Sequence, residues 1–220
     1  FLISGLTILF GFPAPIILAL MINEVKNSAF KRTVQTITYM PYFISMVVLC
    51  GLLKTFCMQD GLFAQIAVLF GGKAQNYLAN PAYFRTIYVL SDIWSGIGWN
   101  SIIYLAALSS IDQEQYEAAR VDGANRFQQM LHITLPGLVP TIMVLFILRM
   151  GNILNVGYEK ILLLYNSATY STADVISTYT YRLSFGGSGN PMYSKSTAIG
   201  LFNTIINVFF LMLTNMISKK

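Results

Sequence analysis

Long apolar runs separated by short polar stretches set the pattern of this chain. Crossing a bilayer takes about 20 consecutive, mostly apolar residues. Five runs approach that length: about 2–22, 37–57, 86–108, 138–157 and 196–217. The first, Leu2 to Ile22, is interrupted only by Gly5, Gly11, Pro13 and Pro15, which predict a kinked helix. The second carries Pro41 near its start and Lys54 near its end, where the amine can snorkel to the interface. Asp92, Trp94, Trp99 and Asn100 fall in the third, and Arg149, Asn152 and Asn155 in the fourth. The apolar run 62–70 is too short to span and reads as an interfacial helix within a loop 59–85. The runs are continuous rather than alternating, which argues against a transmembrane barrel. The predicted fold class is all-α, a polytopic transmembrane helical bundle. The chain begins at Phe1, inside an apolar run and without Met, so the expectation is a truncated N-terminus and one incomplete transmembrane domain over 1–220.

Charge sharpens this picture. Only 10% of the 220 residues are Asp, Glu, Lys or Arg, while 55% are hydrophobic; soluble domains carry about 25% charged residues. So few charges cannot cover a soluble fold, which excludes a soluble enzyme, a disordered chain and a disulfide scaffold. A net charge of +5 would suggest nucleic acid in a soluble protein. Here it fits membrane orientation, because Lys and Arg gather in cytoplasmic loops. Lys26, Lys31 and Arg32 lie in 23–36, Arg120 and Arg126 in 109–137, and Lys219 and Lys220 at the end. Five spans place all three groups on one side, with the C-terminus cytoplasmic and loops 59–85 and 158–195 outside. Cys50 and Cys57 carry no CxxC signature and read as small buried hydrophobes. The single histidine, His132, cannot form a multi-histidine metal site. No catalytic or metal site is expected.

The stretch between the third and fourth spans holds the most specific pattern. Asp112 can cap a Gln/Glu/Ala-rich helix, with Glu114 and Glu117 in its early turns, where negative charge suits the helix dipole. Gly123 breaks that helix, since glycine enters positive φ without cost. A second short helix follows from about Ala124 to Ile133, and Pro136 ends it and starts the next span. Tyr116, Ala119, Phe127 and Leu131 give the loop an apolar side. Two short helices around a glycine corner form a protrusion suited to a partner protein, and Glu117 has Arg120 and Arg126 within reach for ion pairs.

Glu117-Ala118-Ala119, Gly123 four residues after Ala119, then Ile133-x-Leu135-Pro136, fill every fixed position of the EAA loop, at its spacing. In this the chain resembles the permeases of ABC importers, the binding-protein-dependent transport systems, and their carbohydrate branch in particular. Asn23-Glu24-Val25-Lys26 with Phe30-Lys31-Arg32, Tyr39-Met40-Pro41 and Gly157-Tyr158-Glu159-Lys160-Ile161 look like permeases for complex oligosaccharides, fragments of plant or algal polysaccharides. The resemblance implies that loop 109–137 is a cytoplasmic coupling helix that docks in a cleft of an ATPase subunit. The coupling residues would be Glu117, Ala118, Ala119, Asp122, Gly123, Ile133, Leu135 and Pro136. It implies two ATPase subunits, a second permease subunit forming a heterodimer, an extracytoplasmic solute-binding protein, a sugar substrate, and a bacterial or archaeal plasma membrane. No partnership with nucleic acid is implied, only with membrane lipid. The chain itself has no GxxxxGK[ST] segment to cradle phosphates, so ATP and Mg belong to the partner ATPase and no cofactor is bound directly.

Sugars are held by stacking on aromatic rings and by side-chain hydrogen bonds. Trp94, Trp99, Tyr104, Asn152, Asn155, Tyr158 and Glu159 supply that chemistry and are the candidates for a substrate path. Asp92, Gly96 and Trp99 share one helical stripe, and Gly151 and Gly157 predict that the fourth span unwinds at its outer end. The same residues fit a structural reading, with aromatic belts, polar helix contacts and an Asp92–Arg149 ion pair. Loop 158–195, with Tyr165, Tyr170, Tyr179, Tyr181 and Tyr193, reads as a docking surface for the binding protein or an interfacial lid. A secondary transporter or channel not driven by ATP is the alternative, though that class often shows internal repeats and the chain shows none.

Overall fold

Residues 1–186 and 191–218 are described in the computed structural model, and every regular element among them is helical. Residues 187–190 of the loop 158–195, and the expected charges Lys219 and Lys220, lie outside the described residues. In chain order the helices longer than a single turn are α1 (Leu2–Glu24), α2 (Ser28–Tyr39), α3 (Met46–Cys57), α4 (Leu62–Leu69), α5 (Pro81–Ser109), α6 (Gln113–Val121), α7 (Arg126–Met150), α8 (Tyr158–Leu164), α9 (Ile176–Phe185) and α10 (Tyr193–Ser218).

Prolines shape two of these helices. Pro13 and Pro15 have no N–H to donate, and the preceding residues Thr7–Gly11 widen into π-helical turns before α-geometry resumes at Pro13. In α7, Pro136 cannot bond back to His132, and Met130–Thr134 widens in the same way, Leu135 N–H reaching Met130. The second loop helix therefore runs unbroken into the next span, where two elements were expected: the bulge absorbs the proline instead of ending the helix.

The expected span 37–57 is not one helix. α2 ends at Tyr39, Met40–Phe43 form a 3-10 turn around Pro41, and Ser45 caps α3 by accepting the Val48 N–H at 3.4 Å. Pro41 denies a donor to a continuous helix while Ser45 starts a new one. The run 62–70 forms α4, joined to α3 by a turn so tight at Gly61 that a Cβ there would strike the carbonyl oxygens of Thr55 and Phe56. By length and composition four stretches among the described residues suffice to cross a membrane: Leu2–Glu24, Met46–Leu69, Arg126–Met150 and Tyr193–Ser218. The fifth expected span, 86–108, lies within α5; its 29 residues are long enough, but Asp92, Asn100 and its serines lower its mean hydropathy.

α5 is the spine of the bundle. On one side Phe84, Tyr88 and Val89 pack with Ile3 of α1, Leu49, Cys50, Leu53 and Cys57 of α3 and Ile161 and Leu164 of α8. Both cysteines are buried free thiols, as expected. Farther along, Tyr104 and Leu108 pack with Ala19 of α1 and Leu138 of α7. α2 meets α5 at Gly98, where a Cβ would collide with the Thr38 carbonyl oxygen. α7 and α10 leave Val139, Val144, Leu148, Leu201, Phe202, Ile205 and Phe209 exposed. Apolar surface of that extent suits lipid or a second subunit.

Candidate functional site

Two regions gather the residues singled out by the sequence, the α6–α7 corner and a pair of cavities midway along α5. At the corner, Asp112 caps α6, its carboxylate accepting the Glu114 N–H at 3.0 Å. Gly123 has φ +79°, and its N–H bonds the Arg120 carbonyl at 3.1 Å while Ala124 N–H bonds Ala119 at 2.8 Å. That pair of bonds is a Schellman C-cap, which explains why the glycine stands four residues after the second alanine. Asn125 then opens α7 with a capping box, exchanging hydrogen bonds with Gln128 at 2.8 and 2.9 Å. The Tyr116 hydroxyl bonds that of buried Thr134 at 3.0 Å, clamping the two helices.

Glu117, Ala118, Asp122 and Gly123 are exposed on this corner, and Ala119, Ile133 and Leu135 are half-buried. Val121 and Phe127 are 88% and 67% exposed, an apolar tip with no cover among the described residues. Glu117 forms no ion pair among the described residues. Arg126 reaches Glu24 at the end of α1 instead, at 3.6 Å, because the fold brings that helix end over the loop. The pair is solvent-exposed and contributes little to stability.

The two cavities share Thr7, Asp92 and Arg149. The first, of about 290 Å³, is lined also by Ser4, Asn152, Asn155 and Lys160, and the second, of about 190 Å³, by Gly96, Asn100 and Tyr104. α7 ends at Met150 and Gly151–Gly157 lacks helix, so the span does unwind at the end where Gly151 and Gly157 stand. Unwinding presents Asn152 and Asn155, whose side chains bond each other at 3.2 Å.

The expected Asp92–Arg149 pair does not form. Asp92 pairs with Lys160, whose Nζ lies 3.4 Å from Oδ1, donates to the Tyr88 carbonyl at 3.1 Å and sits 4.5 Å above the Tyr88 ring. Lys160 is 2% exposed, and so deep an amine needs a carboxylate close by. α8 folds back against α5 and reaches Asp92 from outside the span, which local sequence spacing does not reveal. Lys160 and Ser4 were both missed by sequence reasoning; a lone lysine at the head of the apolar run 161–164 was the available signal.

The aromatic candidates divide. Tyr104 is buried and lines the second cavity. Trp99 stacks on Tyr42 at 4.8 Å with rings 5° apart, and lines neither cavity. Trp94 faces an apolar groove between α3, α4 and α5. Tyr158 and Glu159 are exposed beside the first cavity, Tyr158 tilted on Tyr181 at 6.2 Å. In the loop beyond, Arg182 grips Asp174 with two bonds of 2.7 and 2.9 Å and lies 5.3 Å over the Tyr170 ring.

A family model described as the binding-protein-dependent transport system inner membrane component matches residues 11–220. Protein LplB of Bacillus subtilis (strain 168) is 42% identical over the whole chain, which spans 68% of that protein. The polygalacturonan/rhamnogalacturonan transport system permease protein YteP of the same organism is 42% identical over 95% of the chain and 64% of its own length. A crystal structure of a bacterial ABC transporter involved in the import of the acidic polysaccharide alginate superimposes with a TM-score of 0.94 at 48% identity, over 99% of this chain and 75% of that one. The same fit, at TM-score 0.94, is found to the bacterial alginate ABC transporter in complex with alginate pentasaccharide-bound periplasmic protein.

Proposed function

The chain belongs to the family of binding-protein-dependent transport system inner membrane components, and on that premise we propose that it is the transmembrane subunit of an ATP-driven importer of oligosaccharides. It is a multi-pass membrane protein and a transport subunit, not an enzyme. It works with a second permease subunit, two ATPase subunits and an external binding protein, and ATP and Mg act on the ATPases. Residues 1–220 form one transmembrane unit, with 109–137 as its cytoplasmic coupling loop and the C-terminus on the same side.

The observation that carries this reading is the α6–α7 corner. Its turn is closed internally by the Schellman bonds and the capping box, so its exposed face is free to be gripped by another protein. Glu117, Ala118, Ala119, Asp122, Gly123, Ile133, Leu135 and Pro136 form or brace that face. ATP-driven closure of the ATPases moves α6, and the Tyr116–Thr134 bond passes the motion to α7, whose far end carries Arg149 and the unwound segment at the cavities. The sugar passes along the cavities beside Asn152, Asn155 and Tyr104, with Tyr158 and Glu159 at the outer mouth. In this reading Trp99, stacked on Tyr42, and Trp94, on the apolar groove, serve packing rather than the sugar path.

Reconstitution into proteoliposomes with the partner permease, ATPases and binding protein tests the reading. Oligosaccharide-loaded binding protein is expected to stimulate ATP hydrolysis and ATP-dependent uptake. Uptake driven by an ion gradient without the ATPases would overturn it.

A further inference from the structure

Three charged side chains face the first cavity: Asp92, Arg149 and Lys160. Lys160 and Asp92 neutralise each other across 3.4 Å. Arg149, which lines both cavities, has no ion pair and no hydrogen bond from its guanidinium among the described residues. One positive charge is therefore left over on a wall that also presents an unsatisfied hydroxyl: Ser4 Oγ, in a residue 5% exposed, has no hydrogen-bond partner among the described residues and belongs to the same cavity. A planar guanidinium fork and a free hydroxyl lining one cavity are a donor set that a sugar carboxylate and a ring hydroxyl would satisfy. The cavity, about 290 Å³, is at the small end of ligand sites and suits one ring of a sugar chain at a time.

We infer that Arg149 reads a carboxylate on the transported sugar, so that the substrate is an oligosaccharide of uronic acids, and that Lys160 positions Arg149 for this by holding Asp92. Without Lys160, Asp92 is left as an unpaired anion on the walls of the two cavities that Arg149 also lines. The two would pair and the leftover charge would vanish. The inference rests on the transport reading above and adds to it the charge of the cargo.

The test uses the complete importer in proteoliposomes with ATP, supplied with galacturonate, mannuronate and guluronate trisaccharides and with neutral trisaccharides. Wild type is expected to take up at least one of the acidic sugars. For that sugar, Arg149→Gln should lower the uptake rate about tenfold or more, the loss of a charge-assisted hydrogen bond, with Arg149→Lys in between. Lys160→Met should lower it similarly, and the double variant Asp92→Asn/Lys160→Met should restore it to within about threefold of wild type, because the surplus charge returns. A purely structural role for Lys160 predicts that the double variant recovers stability as well, so it is told apart by uptake of a neutral sugar and by the melting temperature in detergent: both would fall in Lys160→Met if its role were structural, and both stay near wild type if only the charge facing Arg149 changes. The inference is overturned if wild type carries only neutral sugars, if Arg149→Gln carries the acidic sugar at the wild-type rate, or if the double variant is not rescued. In each of those cases ATP-dependent uptake still stands. Absence of any ATP-dependent uptake by wild type overturns the transport reading, and the inference with it.

Discussion

The hydroxyl of Tyr116 and the hydroxyl of Thr134 lie 3.0 Å apart, joining α6 to α7 across the glycine corner. Thr134 is buried and keeps a second, longer bond to the Gln129 carbonyl at 3.4 Å. Tyr116→Phe keeps the ring and removes only the clamp, a loss of about 1 kcal/mol. The protein should insert normally, and the ATP hydrolysis stimulated by loaded binding protein should fall about fivefold.

Gly123 turns the corner at φ +79°, and a Cβ there meets nothing within 4 Å. The cost of a side chain is conformational alone, about 1–2 kcal/mol for most residues and less for asparagine. Gly123→Asn should retain most of the stimulated hydrolysis, and Gly123→Val should lose most of it. Equal activity in the two variants would show that the left-handed turn is not needed.

At Gly98 the obstacle is steric, because the Thr38 carbonyl oxygen occupies the place of a Cβ. Gly98→Ala should lower stability by about 1–3 kcal/mol, the range for overpacking. Gly5→Ala, with nothing within 4 Å, is the matched control and should leave the melting temperature in detergent near wild type.

The Arg182 guanidinium beside Asp174 holds its carboxyl below the usual carboxylate range, helped by the Thr178 hydroxyl at 2.6 Å, and Asp174 in turn holds Arg182 firmly charged. A carboxyl whose folded pKa is depressed stabilises the fold above its unfolded value of about 3.9 and loses that contribution as pH falls through the folded value. Protease protection of the loop around α9 should therefore be flat between about pH 5 and 8 and weaken only below about pH 4. Asp174→Asn should be less protected at neutral pH and should lack that acid transition.

What could be read from the chain alone was whatever depends on near neighbours. Asp112, Gly123 and the irregularity before the prolines of the first span followed from capping, positive φ and a missing N–H, each decided within a few residues. The break at Met40–Ser45 was not read, although Pro41 and Ser45 both signal it, because the apolar run across them looked continuous. The partner of Asp92 was beyond reach. Arg149 was the attractive choice as the other charge within a span, but Lys160, 68 positions away on a helix that folds back, arrives first. Arg126 likewise found Glu24 rather than Glu117. Ion pairs between distant segments are set by how helices cross, and no spacing rule encodes that.

The Schellman turn, the Asn125–Gln128 box and the Tyr116–Thr134 clamp together leave the α6–α7 corner few torsions free to rotate. A floppy loop would have to freeze on meeting its motor, losing about 1–2 kcal/mol of backbone entropy per residue, and would stretch before it transmitted a pull. This corner arrives already shaped. It behaves as a stiff lever rather than a spring, so displacement imposed on its tip appears at the far end of α7 with little slack.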